Sequence, residues 1–375
     1  MNHIATRFIT TIMLLMASMN VIAQDRTVDM NFNGQLVSAV EELKEKMSAD
    51  SDLKGRKLRL GKFSANNLPD SSFEVQFETG FRELAKDLLD ENSELIISGE
   101  FDFVPGQASE NKDLQVIQVV LKVVNRQRRV LQTITREINN SADIARITGT
   151  TIAPPDDKEV KKRNDEVRRA FEDPAFTVRD KSRIQAKGNA HYAVEILRSE
   201  GGTGPFEPVV PRSVNGMAFV DLSIEDTFVI VPYSFDNTCD ASVSVSIDGL
   251  DVLNAFNADD IKYEGYLVPR ASGNTPGSHV IPGWLRTTKT AENNVFQFVI
   301  NELGKGAATA RKSRSSRGVI NVQFFEAVPV GQHLCSRSFG EVGTGEPLDV
   351  AYEVKEMQRR ETPVVNIAIR YSNVP

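Results

Sequence analysis

The sequence predicts an α+β protein, a small helix-on-sheet N-terminal domain followed by an antiparallel β-sandwich domain. Three observations predict it. Up to about residue 150, helical and strand-like apolar periods alternate, as helices packed on a sheet require. From Asn189 onward the period is two, with Gly, Pro, Asn and Asp between the runs and no convincing helix. The chain has 375 residues, 40% hydrophobic and 25% charged, which is enough for two cores.

Residues 1–23 read as a secretory signal peptide. Arg7 precedes an apolar stretch from Phe8 to Met19, and cleavage after Ala23 leaves Val21 three positions before the cut. The stretch falls short of the roughly 18 residues that a membrane span needs. Export is therefore expected, to the periplasm or the cell exterior, with no transmembrane segment in the mature chain. Cleavage removes Arg7 and no acidic residue, so the formal charge moves from −7 to −8. That balance excludes nucleic acid as a partner, because phosphate binding needs a basic footprint.

The first domain is expected over 24–150. Leu36, Val40, Leu43 and Met47 recur at helical spacing with Glu and Lys opposite, an amphipathic helix over Gln35–Met47. Arg56–Phe63 alternates as a strand does, with Leu58 and Leu60 on one face. Phe73, Phe77, Phe81, Leu84 and Leu88 then mark a second helix whose aromatic face belongs in a core. Three strands follow, Glu94–Val104, Leu114–Val124 and Arg129–Ile138, the last two joined by a short hairpin turn at Asn125–Arg128.

This order, with the runs KGRKLRLGKF, SELIISGEFDFV and LQVIQVVLKVVNRQRRVLQTITREI, resembles the small α+β domain of bacterial cell-envelope proteins. These include the curli-secretion lipoprotein, a flagellar outer-membrane lipoprotein and the lipoprotein activators of penicillin-binding proteins. The Ser98-Gly99 step within a strand and the paired strands after it carry the likeness over about residues 34–150. It implies a non-catalytic envelope scaffold. The lipidated cysteine usual in those relatives is absent here, so membrane attachment and pore formation are not implied.

Pro154-Pro155 ends this domain, and 151–187 reads as a charged linker. Glu159 and Arg163, and Asp165 and Arg169, stand at i,i+4, while Val160, Val167 and Phe171 make a thin apolar stripe. The expectation is a solvated helix. The sandwich follows over 188–375, with strands at Tyr192–Leu197, Met217–Leu222, Thr227–Phe235, Ala241–Asp248, Tyr263–Val268, Ser278–Ile281, Val295–Ile300, Val319–Phe325 and Val364–Arg370. Its centre is Phe228–Gly249, read as a long antiparallel hairpin. That stretch, with IPGWLRT, GVINVQFFEAV and IAIRYSN, resembles an unnamed β-rich module of secreted bacterial proteins, sometimes found beside caspase-like peptidase domains. The likeness implies an accessory role.

Little in the chain points to catalysis. His191, His279 and His333 stand apart in sequence, and there is no Gly-x-Ser-x-Gly elbow, no zinc-spaced motif and no phosphate loop. No cofactor or metal is expected. Asp236, Asn237, Asp240 and Asp248 could offer oxygens to calcium, but they are also ordinary turn residues. Cys239 and Cys335 could pair in an oxidising compartment or be buried thiols. Two features could bind a partner. Arg311, Lys312, Arg314 and Arg317 form a basic loop, either simply solvated or able to meet an anionic glycan, a lipid headgroup or an acidic partner. Trp284, in Pro-Gly-Trp-Leu-Arg with Arg286, is either an exposed anchor or a core plug. The function expected is an exported, non-enzymatic scaffold working through contacts with an envelope protein. The alternatives are a carbohydrate- or cell-wall-binding accessory protein and a hydrolase with its site at the domain junction.

Overall fold

The computed structural model describes residues 32–66, 73–107, 114–153, 160–289, 294–302, 305–307, 318–329, 355–360 and 363–372. The expected signal peptide, the Arg311–Arg317 loop, His333 and Cys335 lie outside them. The chain is α+β, with strand well in excess of helix and several separate sheets.

Helix α1 (Phe32–Ala49) buries Leu36, Val40, Leu43 and Met47, the stripe read from the sequence. Its first backbone N–H donates to the Asp143 carboxylate at 2.7 Å, which satisfies one of the orphan donors of a helix start. Strand β1 (Arg59–Ala65), helix α2 (Phe73–Leu84), β2 (Ile96–Pro105), β3 (Gln115–Val124) and β4 (Val130–Ile138) follow. The four strands form one sheet in sequence order, with β1 parallel to β2 and the rest antiparallel. Phe63, Phe77, Phe81 and Phe101 meet in its core, with Phe77 and Phe101 centroids 5.3 Å apart. Gly99 is required there, because a Cβ would stand 2.6 Å from the Phe63 ring.

Two helices complete this part of the chain. α3 (Ser141–Thr148), which has too few apolar residues to stand out in sequence, buries Ile144 and Ala145. α4 (Val160–Glu172) is the helix expected to be solvated, and here the structure differs. Its thin stripe is used: Val167 joins the N-terminal apolar cluster, and Phe171 packs on Phe103 at 4.7 Å. Arg163, 2% exposed, donates to Ser141 Oγ and to the carbonyls of Gln115 and Asn139. A long aliphatic stem lets this side chain bury while its guanidinium donates to carbonyls from two other segments.

The remaining strands are β5 (Phe176–Arg179), β6 (Arg183–Ala186), β7 (Tyr192–Ser199), β8 (Glu207–Pro208), β9 (Arg212–Val214), β10 (Met217–Asp221), β11 (Thr227–Ser234), β12 (Asp240–Ile247), β13 (Leu250–Asp251), β14 (Tyr266–Val268), β15 (Gly277–Ser278), β16 (Gly283–Leu285), β17 (Val295–Val299), β18 (Val319–Pro329), β19 (Met357–Arg359) and β20 (Val365–Ser372). They make two eight-stranded sheets. One runs β13-β12-β18-β20-β10-β9 with β14 and β19 attached, the other β16-β17-β11-β7-β6-β5 with β8 and β15 attached. Both feed a single apolar cluster, within which Tyr192 of β7 stacks on Phe324 of β18 at 4.8 Å.

The hairpin expected over Phe228–Gly249 does not form. β11 pairs with β7 and β17, β12 with β18, so consecutive strands lie in different sheets. Alternation states which face of a strand is buried and leaves its neighbour open, and both strands bury the expected residues, Phe228, Ile230, Val243, Val245 and Ile247. The segment expected to be linker also contributes β5 and β6, and Ile152 exchanges backbone bonds with Asn366 of β20 at 2.9 and 2.8 Å. Cys239, which is buried at the crossing between sheets, is disulfide-bonded.

Candidate binding surface

Trp284 stands on β16, opposite Phe296 of β17 in an antiparallel pair. Gly283 permits that approach, since a Cβ there would come within 2.1 Å of the Phe296 carbonyl oxygen. The Trp284 ring points inward. It meets Phe298 at 5.5 Å and Phe256 at 5.4 Å, both edge to face, and is 8% exposed. Of the two roles its sequence allowed, the surface anchor for a sugar is therefore corrected: its faces are occupied, and it plugs the core.

Its neighbours supply the surface instead. Phe296 lies 6.0 Å from Phe256 at the margin of the same aromatic cluster and is 47% exposed. The exposed Arg286 places its guanidinium 5.6 Å from the Phe296 ring centroid, at the range of a cation–π contact. Phe296 escaped the sequence reading because the period of two puts it on the core side with Phe298 and Ile300. The cover ends before it does.

The loop between β13 and β14 walls this surface. Asp259 gathers it: its carboxylate accepts from the Thr287 hydroxyl at 2.7 Å, the Thr288 N–H at 2.9 Å and hydroxyl at 3.2 Å, and the Tyr263 hydroxyl at 3.1 Å. The Thr288 backbone bond is the leading cause that holds the Asp259 carboxyl down at about 2. A lowered folded value contributes stability above the carboxyl's ordinary range and loses it as pH falls through about 2. The Thr288 amide should accordingly stay protected in hydrogen exchange from pH 6 down to pH 3, and Asp259→Ala should abolish that protection at every pH. Asn257 accepts from Asp259 N at 2.9 Å and donates to the Ile261 carbonyl, and the loop exposes the Ile261 side chain.

Other polar groups singled out in the sequence are placed as follows. Asp236 accepts from Thr238 N at 2.7 Å within its own turn, whereas Asp240 accepts from Arg270 N at 3.0 Å and Asp248 from Gly318 N at 2.6 Å, so each of these carboxylates serves a backbone N–H. His191 is exposed. His279 is half-buried, 5.3 Å from the Tyr266 ring, and burial holds its pKa below the usual imidazole value. Among the described residues no group of His, Cys, Asp and Glu could hold a metal, and no helix is long and apolar enough to cross a membrane. A cavity of about 300 Å³ opens near Arg198, Glu200, Glu207, Pro208 and Val210. Arg198 lies 3.7 Å from the buried Asp226, so its charge is already matched on the protein side.

The surface thus offers an aromatic ring with a guanidinium near it, beside a loop held by hydrogen-bonded turns. No family model, characterised protein or solved structure matches the chain.

Proposed function

We propose that this is an exported, non-enzymatic binding or scaffold protein of the cell envelope that works through protein contacts. In this reading residues 1–23 direct export, 24–150 form a helix-on-sheet domain, and 188–375 form a β-sandwich. The single observation that carries the binding role is Phe296, half-exposed at the sheet margin with Arg286 over its ring. Aromatic and arginine side chains dominate the energetics of protein interfaces, whereas a ring half in water contributes little to folding. The disulfide at Cys239 supports an oxidising compartment. The shared apolar cluster of the two eight-stranded sheets supports the sandwich.

The test is capture of a partner by residues 24–375 from an envelope extract, beside sedimentation on purified cell wall. Phe296→Ala and Arg286→Glu should each weaken capture of one defined protein at least ~10-fold while leaving thermal stability unchanged. Retention on the wall that survives both changes, with no protein captured, would replace this reading with a glycan-binding one.

A further inference from the structure

The hairpin β5–β6 lies away from the Phe296 surface and carries a different chemistry. Its residues Arg179-Asp180-Lys181-Ser182-Arg183 place three cations in an acidic chain. Both arginines are stacked: Arg179 lies 3.9 Å over the Phe235 ring and Arg183 4.2 Å over Tyr233. Stacking fixes a guanidinium plane in advance. Asp180 takes part of this charge, at 2.9 Å from Arg183 Nη1 and 3.8 Å from Arg179 Nε, and the looser contact leaves Arg179 the better placed of the two to recognise a carboxylate.

A buried network holds the inner arginine. Glu195 accepts from the Ser182 hydroxyl and, at 2.7 Å, from the Tyr233 hydroxyl, while Arg183 Nε stands 3.9 Å from it. Burial and the bond to Glu195 push the Tyr233 hydroxyl up to about 12, so it remains a donor at any physiological pH. The tip itself is strained, with Asp180 and Lys181 at φ +52° and +75°, a region that usually belongs to glycine.

β5 is also the end strand of its sheet. Among the described residues it pairs only with β6, and Thr177, Val178 and Arg179 are exposed. Such an edge can accept another strand, and the charges on it select which one. A second copy of β5 paired in parallel would set Arg179 against its own kind, which is unfavourable. A strand bearing Asp or Glu at alternate positions would meet Arg179 favourably.

We propose that the β5 edge and the stacked arginines at its tip form an acceptor site for an extended acidic peptide segment of a partner protein, which pairs by its backbone and is selected by Arg179. This deepens the protein-binding reading and uses a surface separate from Phe296. The test is fluorescence anisotropy of residues 24–375 with a labelled eight-residue peptide of alternating Glu and Val. The controls are the same composition interrupted by proline, the Lys-for-Glu peptide, and heparin as competitor. Saturable binding of the alternating peptide is expected, at least ~10-fold weaker for both control peptides and for Arg179→Glu, and unchanged in Phe296→Ala. Arg179 is exposed, so its variant should keep the wild-type melting temperature. No saturable binding, or equal binding of the proline-interrupted peptide, would overturn the proposal, as would heparin binding that Arg179→Glu abolishes while peptide binding persists. Loss of extract capture in Phe296→Ala with the peptide still bound would separate the two surfaces.

Discussion

Replacing Cys239 by alanine should lower the unfolding free energy by about 2–5 kcal/mol, the usual cost of losing a native disulfide. Cys239 is disulfide-bonded and buried where the chain passes from one eight-stranded sheet to the other. Cys335 is the only other cysteine in the sequence. If the two pair, the bond closes a loop of roughly 100 residues, for which the chain-entropy model gives about 4.7 kcal/mol. Urea unfolding with and without reductant measures the effect. The same loss is expected for Cys335→Ala, and reductant should shift neither variant further. An unchanged midpoint in Cys335→Ala would show that Cys239 has another partner.

Asp248→Ala should cost about 3 kcal/mol, for two separable reasons. Asp248 and Gly249 occupy φ +51° and +81° in the tight turn from β12 to β13, a conformation that Asn and Asp tolerate and Ala does not. The nearly buried Asp248 carboxylate also accepts from the Gly318 and Val319 N–H groups at 2.6 and 3.2 Å and from the Tyr371 hydroxyl at 2.6 Å. It thereby ties the turn to the start of β18 and the end of β20. Asp248→Asn keeps the turn and one acceptor oxygen, so its loss should be about 1 kcal/mol. Equal losses for Ala and Asn in thermal unfolding would mean that the turn conformation contributes nothing.

Much of the secondary structure was legible because it rests on local periodicity. The stripe Leu36-Val40-Leu43-Met47 and Phe77 and Phe81 of α2 had to face a core, and the turn at Asn125 had to bring β3 against β4. β5 and β6 were not legible: they are four residues each, half of them polar, and of their apolar side chains only Ile184 and Ala186 are buried. They are strands because Glu195, Tyr233 and Phe235, far away in sequence, supply partners for their arginines. Arg163 likewise looked like one half of a surface charge pair, and its burial depends on carbonyls that converge only when α4 docks.

The candidate surface divides in the same way. The sequence singled out Pro-Gly-Trp-Leu-Arg, and within it Trp284 went into the core while the exposed ring is that of Phe296. By itself the sequence determined which faces of the helices and strands are apolar, where turns fall and how charge balances, since each depends on residues close along the chain. Only the tertiary structure decided that β11 and β12 lie in different sheets, that Phe256 covers Trp284, and that Arg179 and Arg183 stack on Phe235 and Tyr233. Pairing partners and side-chain cover are long-range choices, and an alternating apolar pattern fits many neighbours equally well.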